Sequence, residues 1–293
     1  MPPSIAASAS RQERNEQLSP SRSAKDASGV ILAWETLSEQ ARRSPGIRTF
    51  LDIPYGPAVG EKLDVFGSTE EGGLRPIIMF IHGGFWQQGS KDSSAFPAPA
   101  FVAANWIYIA VGYTLAPNAT LTSIVAEIRN ALRFIRLHTR EFGGDPDRII
   151  VAGHSAGGHL AACLLMDDIG HERAVPCAGI VAISGVFDLA PIRDSYVNDA
   201  VRMTEDEVVA LSPVLHRPAY DVPVVLVVGS DETNEFIRQT DVLARAWKPH
   251  LTALSVATIS AKDHFDITLG LADPSSRLFQ LVTGIPGNAL EKV

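Results

Sequence analysis

Residues 148–166 read RIIVAGHSAGGHLAACLLM. The apolar opening has the length of a strand, and the stretch 156–166 suits a helix. Between them stands Gly153-His154-Ser155-Ala156-Gly157. A serine at the apex of a sharp strand-to-helix turn is pushed out of the sheet. A Cβ at either flanking glycine would collide with the neighbouring strand or helix. The same turn aims the unpaired N–H groups of the helix N-terminus at the serine. A tight turn with an incidental serine is the plainer reading, but the strand–turn–helix context argues against it.

Working outward, apolar runs of strand length recur at 76–81, 106–111, 179–183, 222–228 and 254–259. Such uniform runs mark strands covered on both faces, as in a parallel sheet. Segments 48–53 and 61–66 suit an antiparallel pair around the 54–56 turn. Helical periodicity fills 30–43, 121–138 and 234–247. The alternation predicts an α/β fold with a mostly parallel central sheet of about eight strands and helices on both faces. Residues 187–220 break the rhythm and are expected to form a small cap insertion over the C-terminal edge of the sheet, where such folds bind ligands.

A second motif, His82-Gly83-Gly84-Phe85-Trp86, follows the 76–81 strand. Glycines there let backbone N–H groups approach a ligand, as a developing oxyanion requires; a Gly-Gly turn among core aromatics is the competing reading. A serine nucleophile also needs a base, and the base an orienting carboxylate, in the chain order Ser, acid, His. Ser230-Asp231-Glu232 follows the 222–228 strand. Asp231 is the leading acid and Glu232 the runner-up, since a shift of one residue redirects the side chain. His264 follows the last strand and is the expected base; His250 precedes that strand, at the far end of the sheet. Trp86, His154, Phe187 and Tyr196 are candidates for a substrate pocket, although Trp86 also reads as a loop anchor. His159 and Cys163 read as packing residues on the helix after Ser155, and Asp188 as a turn or cap residue.

Composition narrows the alternatives. The chain has 293 residues, 46% of them hydrophobic, with 25 basic and 33 acidic side chains for a net charge of −8. That balance disfavours nucleic acid, which needs clustered Lys and Arg. No metal-ligand spacing is visible, and the apolar stretch 101–116 is too short and polar to span a bilayer. Two cysteines do not make a disulfide framework. Residues 1–28 are polar, lack a signal-peptide core and read as a flexible tail. The remainder, 29–293, reads as one domain. The default location is cytoplasmic.

Together these residues resemble the α/β-hydrolase superfamily, and within it the kynurenine formamidase (arylformamidase) and esterase branch. The resemblance spans about 30–282. It rests on the H-G-G-x-W form at 82–86, Gly-His-Ser-Ala-Gly at 153–157, Glu235-Phe236-Ile237-Arg238-Gln239 after the acid segment, and Asp263-His264-Phe265-Asp266-Ile267. It implies oxyanion N–H groups at Gly84, Phe85 and Ala156. The x position is often tyrosine in that branch and is Phe85 here, which keeps the backbone role and removes a hydroxyl.

The expected function is a cofactor-free serine hydrolase of carboxylic esters with small or medium acyl groups, using Ser155, His264 and Asp231 and no metal. The alternative within the branch is hydrolysis of N-formyl-kynurenine. The alternative from another class is a non-catalytic α/β-hydrolase binding module. The expected partner is a small-molecule ester or aryl formamide, with no nucleic acid and no membrane; a homodimer is one admissible assembly.

Overall fold

In the computed structural model, which describes residues 10–70, 72–166 and 176–285, alternation within each apolar run is what builds the core. Ile77, Met79 and Ile81 pack on one side of the sheet, with Leu132 and Leu160. Ile78 and Phe80 pack on the other, with Phe101 and Phe279. A strand with both faces covered this way must be apolar throughout.

The strands are β1 (Ile47–Pro54), β2 (Lys62–Ser68), β3 (Arg75–Ile81), β4 (Ile107–Val111), β5 (Gly144–His154), β6 (Gly179–Ile183), β7 (Val224–Gly229) and β8 (Leu254–Ile259). Their order in the sheet is β1-β2-β4-β3-β5-β6-β7-β8. Only β2 is reversed, pairing antiparallel with β1 and β4. The remaining pairs are parallel, so β3, β5, β7 and β8 deliver their following loops to one edge. The helix Leu121–His138 buries the stripe read from its sequence, from Leu121 through Ile128 to Ile135, and its N-cap Thr120 accepts from the Ser123 N–H.

The N-terminus departs from the expected tail. Residues 1–9 lie outside the described residues, but 10–28 are built into the fold. Helices Arg11–Gln17 and Pro20–Ser23 precede the helix Ala27–Arg42, which starts three residues before the predicted 30–43 segment. Ser10 and Glu13 form a capping box on the first. Leu18 is fully buried. The Tyr196 hydroxyl donates to Leu18 O at 3.0 Å, and Thr233 Oγ1 donates to Gln17 O at 2.6 Å. The segment is polar because hydrogen bonds to distant residues hold it, with one buried leucine as anchor.

Residues 187–220 fold into the short helices Ala190–Arg193, Asn198–Val201 and Glu205–Leu211. Ile192, Val201, Val208 and Leu211 are buried beneath them. Cys163 and Cys177 are both buried and unpaired. No helix among the described residues is long and apolar enough to cross a membrane.

Candidate active site

Ser155 sits between β5 and the helix Ala156–Cys163 with φ 55° and ψ −117°, a strained conformation for a residue with a side chain. The glycines around it are sterically required. A Cβ on Gly153 would lie 2.1 Å from Gly157 O, and one on Gly157 would lie 2.0 Å from Ile81 O. The Ser155 N–H donates to Ile183 O at 2.8 Å, fixing the turn against β6.

His264 lines the same cavity as Ser155. Its Nδ1 lies 2.7 Å from Glu232 Oε2. A proton on Nδ1, facing the carboxylate, leaves the Nε2 lone pair free. Glu232 Oε1 accepts from Ser184 Oγ at 2.5 Å and from the Gly229 N–H at 2.7 Å. The side chain is fully buried, and both its oxygens are engaged. The Ser155 hydroxyl makes no hydrogen bond to His264, a contact that in serine–histidine pairs often tightens only around substrate.

This geometry corrects the expected acid. Asp231 turns outward, with its carboxylate on Lys25 Nζ at 2.8 Å and on Ser230 Oγ at 2.8 Å. Lys25 holds its pKa below the usual carboxylate value. The Gly229 N–H folds back onto the Glu232 side chain, so the residue after Asp231 faces the β8 loop. The longer glutamate then reaches His264.

Two further contacts hold the base. The ring of Phe236 packs on His264 with centroids 4.1 Å apart. His154 Nε2 donates to His264 O at 2.7 Å. The second position of the serine motif therefore ties the histidine loop to β5. Lys25 adds a clamp from outside: its N–H donates to Asp263 Oδ2 at 3.0 Å, while its Nζ holds Asp231.

The turn after β3 is unusual in its backbone. Gly84, Phe85 and Trp86 have φ of 102°, 48° and 60°. A Cβ on Gly84 would lie 2.2 Å from Gln88 O, so only glycine fits there. A Cβ on Gly83 would lie 3.0 Å from Ser155 Cβ, which shows how closely this turn approaches the serine. Among the described residues the Gly84 and Phe85 N–H groups donate to no protein acceptor. Ala156 opens its helix, so its N–H has no intrahelical partner.

Of the pocket candidates, His154 and Tyr196 line the cavity and the other two do not. Trp86 is fully buried, with its ring edge-on to His159 at 5.0 Å. Phe187 is also fully buried, and its N–H donates to Gln239 Oε1 at 2.7 Å. Both are packing residues. Sequence reading missed Ser184, whose signal is a small polar residue directly after β6. It also missed Trp34, which lies in the 30–43 segment read only for its helical periodicity and which lines the cavity.

The buried imidazoles near the site make an acid-stability prediction. Burial lowers His82 and His159 from 6.5 to about 4, and lowers His154 well below 6.5. Above pH 6.5 these rings are neutral in both folded and unfolded chains, and pH has no effect through them. Below it the unfolded chain takes up protons that the folded chain refuses, so stability falls as pH drops toward 4. His82 and His159 are expected to cost about 3 kcal/mol each across that window. Denaturant midpoints measured from pH 7 to 4 check this; a flat midpoint would contradict it.

Eight strands in this order, with a serine turn leaving β5 and a carboxylate–histidine pair leaving β7 and β8, define the α/β-hydrolase class. The chain belongs to the BD-FAE family, whose pattern matches residues 63–246. It is 32% identical to the kynurenine formamidase of Danio rerio, over 96% of this chain and 98% of that one. It is 31% identical to the kynurenine formamidase of Salmo salar, over 95% and 97% of the two chains. A crystal structure from Silicibacter sp. tm1040 superposes with a TM-score of 0.80 at 29% identity, covering 92% of this chain and 99% of that one. Esterase B of Lactobacillus rhamnosis shares the fold at a TM-score of 0.69 and 17% identity, covering 87% and 94%. The chain is accordingly a hydrolase.

Proposed function

We propose that the chain hydrolyses carboxylic esters of small or medium acyl groups through an acyl-Ser155 intermediate. The observation that carries this is the 2.7 Å contact between His264 Nδ1 and Glu232, which leaves Nε2 on a cavity shared with Ser155. In this reading Ser155 Oγ attacks the ester carbonyl carbon as its proton passes to His264 Nε2. Glu232 stabilises the imidazolium. The N–H groups of Gly84, Phe85 and Ala156 receive the oxyanion. His264 then protonates the departing alkoxide, and water enters by the reverse sequence to release the acid.

The second reading is an aryl formamide substrate, N-formyl-kynurenine. It is favoured by the two full-length fish relatives. Against it, among the described residues lining the cavity there is no Lys or Arg to receive the α-carboxylate of that substrate. The test is kcat/KM for phenyl acetate and phenyl butyrate beside N-formyl-kynurenine, with fluorophosphonate labelling of Ser155. The esters are expected to be at least tenfold better. A reversed ratio would replace ester by formamide. Absence of both labelling and turnover would favour a non-catalytic binding module.

A further inference from the structure

The cavity above Ser155 has a volume of about 420 Å³. One wall comes from the N-terminal segment, through Pro20, Ser21, Ile31, Trp34 and Glu35. Among the described residues that line it, Glu35 is the one carboxylate, and no Lys or Arg joins it. Glu35 is exposed and makes no ion pair or hydrogen bond among the described residues. Lys25, on the same segment, is committed to Asp231 and to Ala261 O. Arg22 is exposed and does not line the cavity.

Aromatic side chains share the cavity lining with this carboxylate. Trp34 stacks with Phe265 at 5.9 Å and with Phe96 at 6.4 Å, and all three line the cavity. An aromatic face attracts a cation through its quadrupole, and a quaternary ammonium presents the large, weakly hydrated surface that such faces hold best. His82 and His154, the histidines beside the serine motif and the glycine turn, stay neutral near pH 7 because burial opposes their protonation. The net charge of −8 adds a long-range field of the same sign.

On the hydrolase reading above, we propose that this wall selects esters whose non-reacting end carries an ammonium group, with Glu35 as the specificity-determining residue and Trp34 as the aromatic face beside it. An ester with an anionic end meets Glu35 as a like charge and is rejected. The reaction itself is unchanged: the ammonium end fixes the pose, and Ser155 attacks the same carbonyl.

The experiment compares acetylcholine with its neutral isostere 3,3-dimethylbutyl acetate, in wild type and in Glu35→Gln. The substitution is isosteric, lies at an exposed helical position and leaves the residues at the reacting carbonyl untouched. In wild type, kcat/KM for acetylcholine is expected to exceed that for the neutral ester by about tenfold, as one carboxylate and one aromatic face would give. That ratio should shrink as salt rises from 20 to 500 mM, since an exposed charge is screened. In Glu35→Gln the ratio should fall to about 2, chiefly through a lower kcat/KM for acetylcholine. Equal rates on the two esters in wild type, or a ratio untouched by Glu35→Gln, would overturn the inference while leaving the hydrolase reading intact. Failure to turn over either ester, or phenyl acetate beside them, would remove the ester reading and this inference with it.

Discussion

Glu232→Gln is expected to lower kcat on an ester by about 10³–10⁴-fold, while Asp231→Asn stays within a few-fold of wild type. The amide keeps the size of the glutamate side chain but removes its charge and one acceptor. The Nδ1–H that Glu232 now accepts would face either an N–H₂ group or a neutral carbonyl. The imidazolium formed in the reaction would lose its counter-charge, and the ring could settle in the wrong tautomer. Loss of the corresponding carboxylate in other serine triads costs about 10⁴ in kcat for those reasons. Asp231, by contrast, is part-exposed and holds Lys25, and an exposed ion pair contributes little. Rates on phenyl acetate, with KM and the thermal midpoint recorded for each variant, decide the matter. If Asp231→Asn loses activity and Glu232→Gln keeps it, the proposed acid is wrong.

Ser155→Ala is expected to remove at least about 10⁴-fold of kcat and all labelling by fluorophosphonates. The residual rate would come from binding and from the N–H groups that receive the oxyanion. The substitution should leave the fold intact. Among the described residues the Ser155 hydroxyl donates no hydrogen bond, and alanine can occupy the same φ of 55° at no greater strain than serine. A near-normal rate in a variant with an unchanged thermal midpoint would rule out the acyl-serine route.

How much of this is legible in the chain depends on how local the cause is. The turn around Ser155 can be read because its glycines answer clashes with atoms only a few residues or one strand away. The strands can be read because burial on both faces forces apolar runs. The acid is harder. Ser230, Asp231 and Glu232 are all polar residues after β7, and only the folding of the Gly229 N–H onto Glu232 selects among them. That contact has no signature in the residue types. Trp86 and Phe187 show the opposite error: an aromatic beside a motif is as suited to packing as to lining a pocket, and both are fully buried. The N-terminal segment is hidden for a further reason. Its capping box is a local signal, but its attachment is to residues about 180 to 240 positions away, through hydrogen bonds that composition cannot express.

The Lys25 clamp has a consequence for the order in which the molecule can be completed. Its two acidic partners lie 206 and 238 residues further along the chain. Lys25 is made well before either partner, and its clamp waits for both. Closing so long a loop carries an entropic cost that only the finished sheet can offset. The segment bearing Lys25 can thus be clamped only after Asp263 has been made. A cavity walled this way is complete only when the loops bearing Glu232 and His264 are both present for one lysine to join.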